Sequence, residues 1–199
     1  MKRHTKPIDS IVIPHTETPN EAARLELNRL RNIQSYHQGR NWGDIAYHYL
    51  IGPSGKIYEG RSSRFQGDSG TSYDLDGRLL ICVLGSFGKQ LPASPALDSL
   101  TKIVNSKARM LDLNVTRHVT THRKVAATDC PGETFHQWIV GGGLTVGNPA
   151  LSRIPQSPKQ KEEHGGTVRL NFGNGTLQVL IPPGFTQMDS PEKNLEKMN

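Results

Sequence analysis

Cysteine is nearly absent from this chain. Cys82 and Cys130 are the only two in 199 residues. No CxxC pair exists, which removes the commonest four-ligand structural zinc pattern, and at most one disulfide could form. Long apolar runs are missing too. Nothing approaches the roughly 18 residues that a membrane span needs. The first residues, MKRHTKPIDSIVIPH, carry Lys2, Arg3 and Lys6 but lack the apolar core and small-residue cleavage site of an export signal. There is no GxGxxG and no P-loop, so a nucleotide-binding fold has no support. Zinc-finger spacing and RNP-type motifs are also missing, and the lysines and arginines are scattered. Nucleic acid is therefore not an expected partner. The net charge of +6 still favours an anionic one, cell-wall polymer included.

What is present reads as a mixed α/β chain. Residues 8-IDSIVIPH-15 suit a buried strand. The segment 18-TPNE-21 reads as a capping box, with Thr18 as N-cap, Pro19 in the first turn and Glu21 closing it, and a helix is expected over about 19–37. Residues 45–52 and 56–61 form a hairpin around 52-GPSG-55, and 62–77 form a long polar, glycine-rich loop. The run 79-LLICVLG-85 is a fully buried strand. Leu97, Leu100, Val104 and Leu111 make the apolar stripe of a helix opened by Ser94 and Pro95. A short strand around 117–122 and a short helix over 133–140 follow. The expected fold is a mixed central β-sheet flanked by helices, with a C-terminal β-hairpin appendage. The expected division is one domain over 1–140, a Gly/Pro/Ser-rich linker over 141–166, a hairpin within 167–185 and a tail over 186–199. The hairpin should carry one apolar face, which needs a partner: an edge of its own domain, or a docking surface for another copy or for a delivery or immunity protein.

Three residues have metal-ligand chemistry at ends of elements. His15 closes the first strand, His122 closes a late one, and Cys130 sits in a Cys-Pro-Gly turn. Two imidazoles and one thiolate make a three-ligand zinc set with one position left open, the pattern of a catalytic zinc. The spacing alone leaves the plainer reading equally open, with two satisfied histidines and a structural cysteine. Cys82, in mid-strand, is the plain buried case. His37, His48, His118, His136 and His164 are read as structural. A Cys82–Cys130 disulfide in a structural protein is a further rival.

The chain from about Ile8 to Val140 resembles the zinc N-acetylmuramoyl-L-alanine amidases, a superfamily that includes phage lysozyme-type amidases and peptidoglycan recognition proteins. The resemblance rests on 13-IPHT-16, 42-WGDIAYHYLI-51 with 55-GKIYEGR-61, 79-LLICVLG-85, 94-SPALDSL-100 and 121-THRKVAATDCPG-132, in that order. It implies one zinc per chain held by His15, His122 and Cys130. It implies that Tyr47 stands beside the reacting water and that Thr128 faces the scissile carbonyl. The implied reaction is hydrolysis of the amide between N-acetylmuramic acid and L-alanine in peptidoglycan, and the implied partners are peptidoglycan or muropeptides. Cysteine at 130 sets the chain nearer the wall-degrading branch than the muropeptide-recycling branch, whose third ligand is Asp. The alternative is a non-catalytic peptidoglycan-binding module; such members usually lack the metal cysteine. With no visible signal peptide, the expected setting is synthesis in the cytoplasm and action on the wall after lysis or secretion, in the periplasm or outside the cell.

Overall fold

The computed structural model describes residues 1–20, 22–145, 167–172 and 175–180. Its strands are β1 (Ser10–Ile13), β2 (Tyr49–Ile51), β3 (Ile57–Glu59), β4 (Arg78–Val83), β5 (Val119–Thr121), β6 (Thr167–Phe172) and β7 (Gly175–Leu180). The helices are α1 (Glu26–Gly39), α2 (Ser94–Met110), α3 (Val115–His118) and α4 (Glu133–Trp138). The strands lie in one mixed sheet, in the order β5-β1-β4-β2-β3-β7-β6. Strand β4 runs parallel to both neighbours, β1 and β2, and β1 is parallel to β5. This is the mixed, helix-flanked sheet expected from the sequence.

The central position of β4 explains its unbroken apolar run. Leu79, Ile81 and Val83 face α2 and α4, where Leu97, Leu100, Val104 and Phe135 complete one core. Cys82 points to the other face, against Leu30 and Ile33 of α1 with Leu50 and Tyr58. A strand covered on both faces has no use for alternation. Full burial of each such apolar side chain is worth roughly 1.5–3 kcal/mol.

Helix α1 begins later than its sequence suggests. A 3-10 turn, Ala23–Leu25, precedes it, and Thr18 bonds the Thr16 hydroxyl instead of capping a helix. Glu21 lies outside the described residues. The cause is tertiary: the Asn20 amide donates to Ser86 O and accepts from Ser86 N–H, both at 2.8 Å, which ties this stretch to the loop after β4. Residues 141–145, expected as the start of the linker, belong to the folded part. Residues Ile139–Gly143 continue helically from α4, and Leu144 is packed in the core. Gly142, at φ 89°, turns the chain so that Leu144 folds back, and Asn105 donates to Leu144 O at 2.8 Å. A glycine run that reads as a linker here ends a helix.

The backbone of β7 pairs antiparallel with β3, with Ile57 opposite Leu180 and Glu59 opposite Gln178, and β6 pairs with β7. The expected apolar face of this hairpin, the linker beyond residue 145, the tail and His164 lie outside the described residues and side chains. No helix among the described residues is long and apolar enough to cross a membrane.

Candidate functional site

Strands β1 and β5 are parallel neighbours in register, with Ile13 opposite Thr121. They therefore end together. His15 lies two residues past Ile13 and His122 one residue past Thr121, so one sheet edge delivers both imidazoles. Backbone bonds fix this exit: Val83 N–H donates to Pro14 O and Thr16 N–H to Val83 O, each at 3.1 Å. Cys130 arrives from the turn before α4. Gly132, at φ 92°, presses that turn onto Phe87, where any Cβ would collide with backbone. Arg123 N–H donates to Cys130 O at 2.8 Å, tying the turn to the segment after His122.

The five residues singled out in the sequence, His15, Tyr47, His122, Thr128 and Cys130, line one cleft of about 260 Å³. His15 is buried, and its backbone N–H donates to Cys130 Sγ at 3.2 Å. Its Nδ1 is buried without a hydrogen-bond partner. His4 Nε2 and Thr101 Oγ1 share that condition, yet neither residue lines this cleft. Burial, with the charge of His122 adding to it, lowers the His15 pKa to about 4; burial lowers that of His122 as well. The Cys130 thiol is pushed up to about 12, chiefly by burial. Burial also raises Tyr47, and the nearby Cys82 and Cys130 thiols add to the shift, so Tyr47 keeps its phenolic proton. Thr128 Oγ1 accepts from Cys130 N–H at 3.2 Å, and no acceptor for its own O–H is found among the described residues.

Among the described residues no three His, Cys, Asp or Glu side chains stand as a closed metal-binding cluster. His122 turns its Nε2 to Thr71 Oγ1, at 2.7 Å, and Cys130 Sγ lies against the His15 backbone. The residues nonetheless fit a zinc ion by their chemistry: two imidazoles held neutral, one of them with an orphaned buried nitrogen, and a thiol in the same cleft. Cys82 and Cys130 are both free thiols, which removes the disulfide reading.

Sequence reasoning missed several residues in and behind the cleft wall. Arg61 is almost wholly buried and donates to the carbonyls of Trp42, Asp44, Ile45 and Gln66 at 2.7–3.0 Å, while pairing with Asp68. This one guanidinium knits the segment before β2 to the loop after β3. Thr71, Ser69 and Tyr73 bring that loop onto His122. No periodicity or spacing marks such hydroxyls. Histidines read as structural hold backbone or hydroxyl partners, although His37 also lines the cleft. His48 Nδ1 accepts from Leu80 N–H at 2.8 Å, which leaves Nε2 to donate to Phe65 O at 2.9 Å. His37 Nδ1 accepts from Ala46 N–H, and His136 Nδ1 bonds the Thr121 hydroxyl.

Comparison with known proteins places this architecture. The N-acetylmuramoyl-L-alanine amidase family matches residues 4–133, and the chain belongs to that family. It is 35% identical over 135 residues to peptidoglycan-recognition protein SD of Drosophila simulans, covering 67% of this chain and 72% of that protein. It is 30% identical over 135 residues to the human N-acetylmuramoyl-L-alanine amidase, covering 65% of this chain but only 23% of that longer protein. Among solved structures, human PGRP-IBETAC in complex with glycosamyl muramyl pentapeptide superposes with a TM-score of 0.62 at 30% identity, covering 69% of this chain and 85% of that one. The chain's function is thus peptidoglycan-related.

Proposed function

We propose that this protein hydrolyses the amide between N-acetylmuramic acid and L-alanine in peptidoglycan, as a zinc-dependent amidase with one zinc per chain. The observation that carries the reading is the orphaned, buried His15 Nδ1, on a residue whose backbone N–H bonds the Cys130 thiol, in a cleft that also holds His122, Tyr47 and Thr128. His15, His122 and Cys130 would hold the metal. Zinc, when bound, supplies a Lewis acid that activates water and polarises a carbonyl at neutral pH.

The chain's own groups do the rest. Neutral imidazoles keep their lone pairs for ligation because burial opposes their protonation. Cys130 must give up its proton to ligate, which burial alone resists, so loading is coupled to proton release. Tyr47, protonated over the working range, donates to oxygen at the reacting carbon. Thr128 already accepts from Cys130 N–H, so its own O–H is free to donate to the charge that develops on the carbonyl oxygen. Losing one such donor typically costs about 10²–10³-fold in rate.

A second reading is a non-catalytic peptidoglycan-binding module, favoured by relatives named as recognition proteins. Digesting purified sacculi with and without chelator, and identifying new ends by mass, separates the two. Chelator-sensitive release of peptides with free L-alanine amino ends supports the amidase. Binding to sacculi without new ends, by zinc-loaded protein, supports the module. Action on the wall after lysis or secretion fits either reading, and the hairpin remains a proposed surface for self-association or for a delivery or immunity protein.

A further inference from the structure

His122 is the one proposed ligand whose second ring nitrogen is held by a side chain. Thr71 Oγ1 lies 2.7 Å from His122 Nε2, and Ser69 Oγ lies 3.4 Å from the same atom. The two hydroxyls are 2.8 Å apart, and Thr71 N–H donates to Ser69 Oγ at 3.1 Å. The Tyr73 ring packs against the imidazole, centroid to centroid 5.1 Å. All three residues come from the loop between β3 and β4.

We propose that Thr71 is the positioning residue for His122: its hydroxyl oxygen accepts the Nε2 proton and so presents the Nδ1 lone pair as the metal-binding nitrogen. The proposal rests on the zinc reading above. A neutral imidazole carries one proton, and a nitrogen that ligates a metal cannot hold it. The proton must sit on the other nitrogen and needs an acceptor there. With Nε2–H donating to Thr71 Oγ1, the Thr71 O–H donates to Ser69 Oγ, and the Ser69 O–H is left without an acceptor among the described residues. The same two hydroxyls also run in reverse. Ser69 then donates to Thr71, Thr71 donates to Nε2, and the ring proton moves to Nδ1. Both directions keep the Thr71 hydroxyl bonded to Ser69 and to Nε2, but only the first leaves Nδ1 free to ligate. The hydroxyl pair thus follows the tautomer change without losing a hydrogen bond. His48 shows the contrast: two backbone groups lock its tautomer, with no freedom to exchange. The consequence is that metal affinity depends on the order of a groove-lining loop.

The test uses the full chain with zinc itself as the probe. Thr71→Val keeps the shape and removes the acceptor; Thr71→Ser restores it. Zinc dissociation constants come from competition with a chromophoric chelator at fixed pH, and the His122 ring state from ¹⁵N NMR of the zinc-loaded parent. The proposal expects zinc affinity to fall about 10–100-fold in T71V, to return towards the parent value in T71S, and the metal-free melting temperature to stay near the parent's. It expects a proton on Nε2 and a metal-shifted Nδ1. Parent-like zinc affinity in T71V, or a metal-shifted Nε2, overturns it while leaving the zinc reading intact. A parent that takes up no zinc overturns both. Should T71V fail to fold, the T71S affinity and the parent spectrum still decide.

Discussion

Among the described residues, one cleft is larger than the candidate site. The larger, about 300 Å³, lies between the starts of α1 and α2 and includes Asn20 and Glu26 in its wall. There the buried carboxylate of Glu26 and the amide of Asn20 are spent on the protein itself. Glu26 accepts from the Tyr58 hydroxyl at 2.6 Å and from the Ser54 hydroxyl at 2.7 Å, and Asn20 is closed at both ends by Ser86. The smaller cleft, about 260 Å³, leaves groups unspent: His15 Nδ1 has no partner and the Thr128 O–H has no acceptor among the described residues. Buried polar groups are nearly always paired, so an unpaired one on a residue that lines a cleft calls for an explanation. Size does not distinguish the two clefts; unspent hydrogen-bonding capacity does.

The strongest way to break that comparison is to remove a proposed ligand. Cys130→Ala should lower zinc content from one per chain to background and abolish cleavage of sacculi, a larger effect than the roughly 10–100-fold that loss of a ligand's own partner costs. Elemental analysis and muropeptide release measure it together. Full zinc occupancy in that variant would remove Cys130 from the site.

Next come the groups that touch the reacting carbonyl. Tyr47→Phe and Thr128→Ala should keep zinc and fold and lose turnover by about 10²–10³-fold each, mostly in kcat, because their contacts strengthen in the transition state. A loss confined to KM would make them binding groups.

Acid should act on the smaller cleft. His15 and His37 line it, and with His48 all three have pKa values lowered from about 6.5 to about 4, by burial first. Between those values the unfolded chain binds more protons than the folded one, so stability rises with pH across the window and is lost as pH falls from about 6.5 towards about 4. The slope is at most about 1.4 kcal/mol per pH unit for each histidine. Thermal melts of metal-free protein at stepped pH test this, and a constant melting temperature across the window would contradict it.

The sequence was most informative where one local signal sufficed. The run LLICVLG, short, apolar and closed by glycine, reads as a doubly covered strand, and His15, His122 and Cys130 stand out by residue type and by their place at strand ends and turns. It misled where a distant partner decided. Thr18 and Pro19 look like a helix start, but Asn20 is captured by Ser86, 66 residues away. Gly141, Gly142 and Gly143 look like a linker, yet Leu144 has a place in the core. Thr71 and Ser69 carry no signal of their own, since a hydroxyl becomes informative only when the fold sets it 2.7 Å from a ring nitrogen.

The smallest effect expected tests the larger cleft. Glu26 is buried, and Gly52 lets its carboxylate come close, since a Cβ there would collide with the carboxylate oxygen. Tyr58 O–H and the Ser54 O–H and N–H all converge on those oxygens. Glu26→Gln keeps one acceptor oxygen but turns an NH₂ towards groups that are themselves donors. Leaving a buried donor unmatched costs about 1–3 kcal/mol. Chemical denaturation should show that loss, while zinc affinity and kcat stay at parent values, because Glu26 anchors α1 to the β2–β3 turn and does not touch the other cleft. A fall in kcat with unchanged stability would mean that the larger cleft takes part in the reaction, and the distinction between spent and unspent polar groups would no longer separate the two.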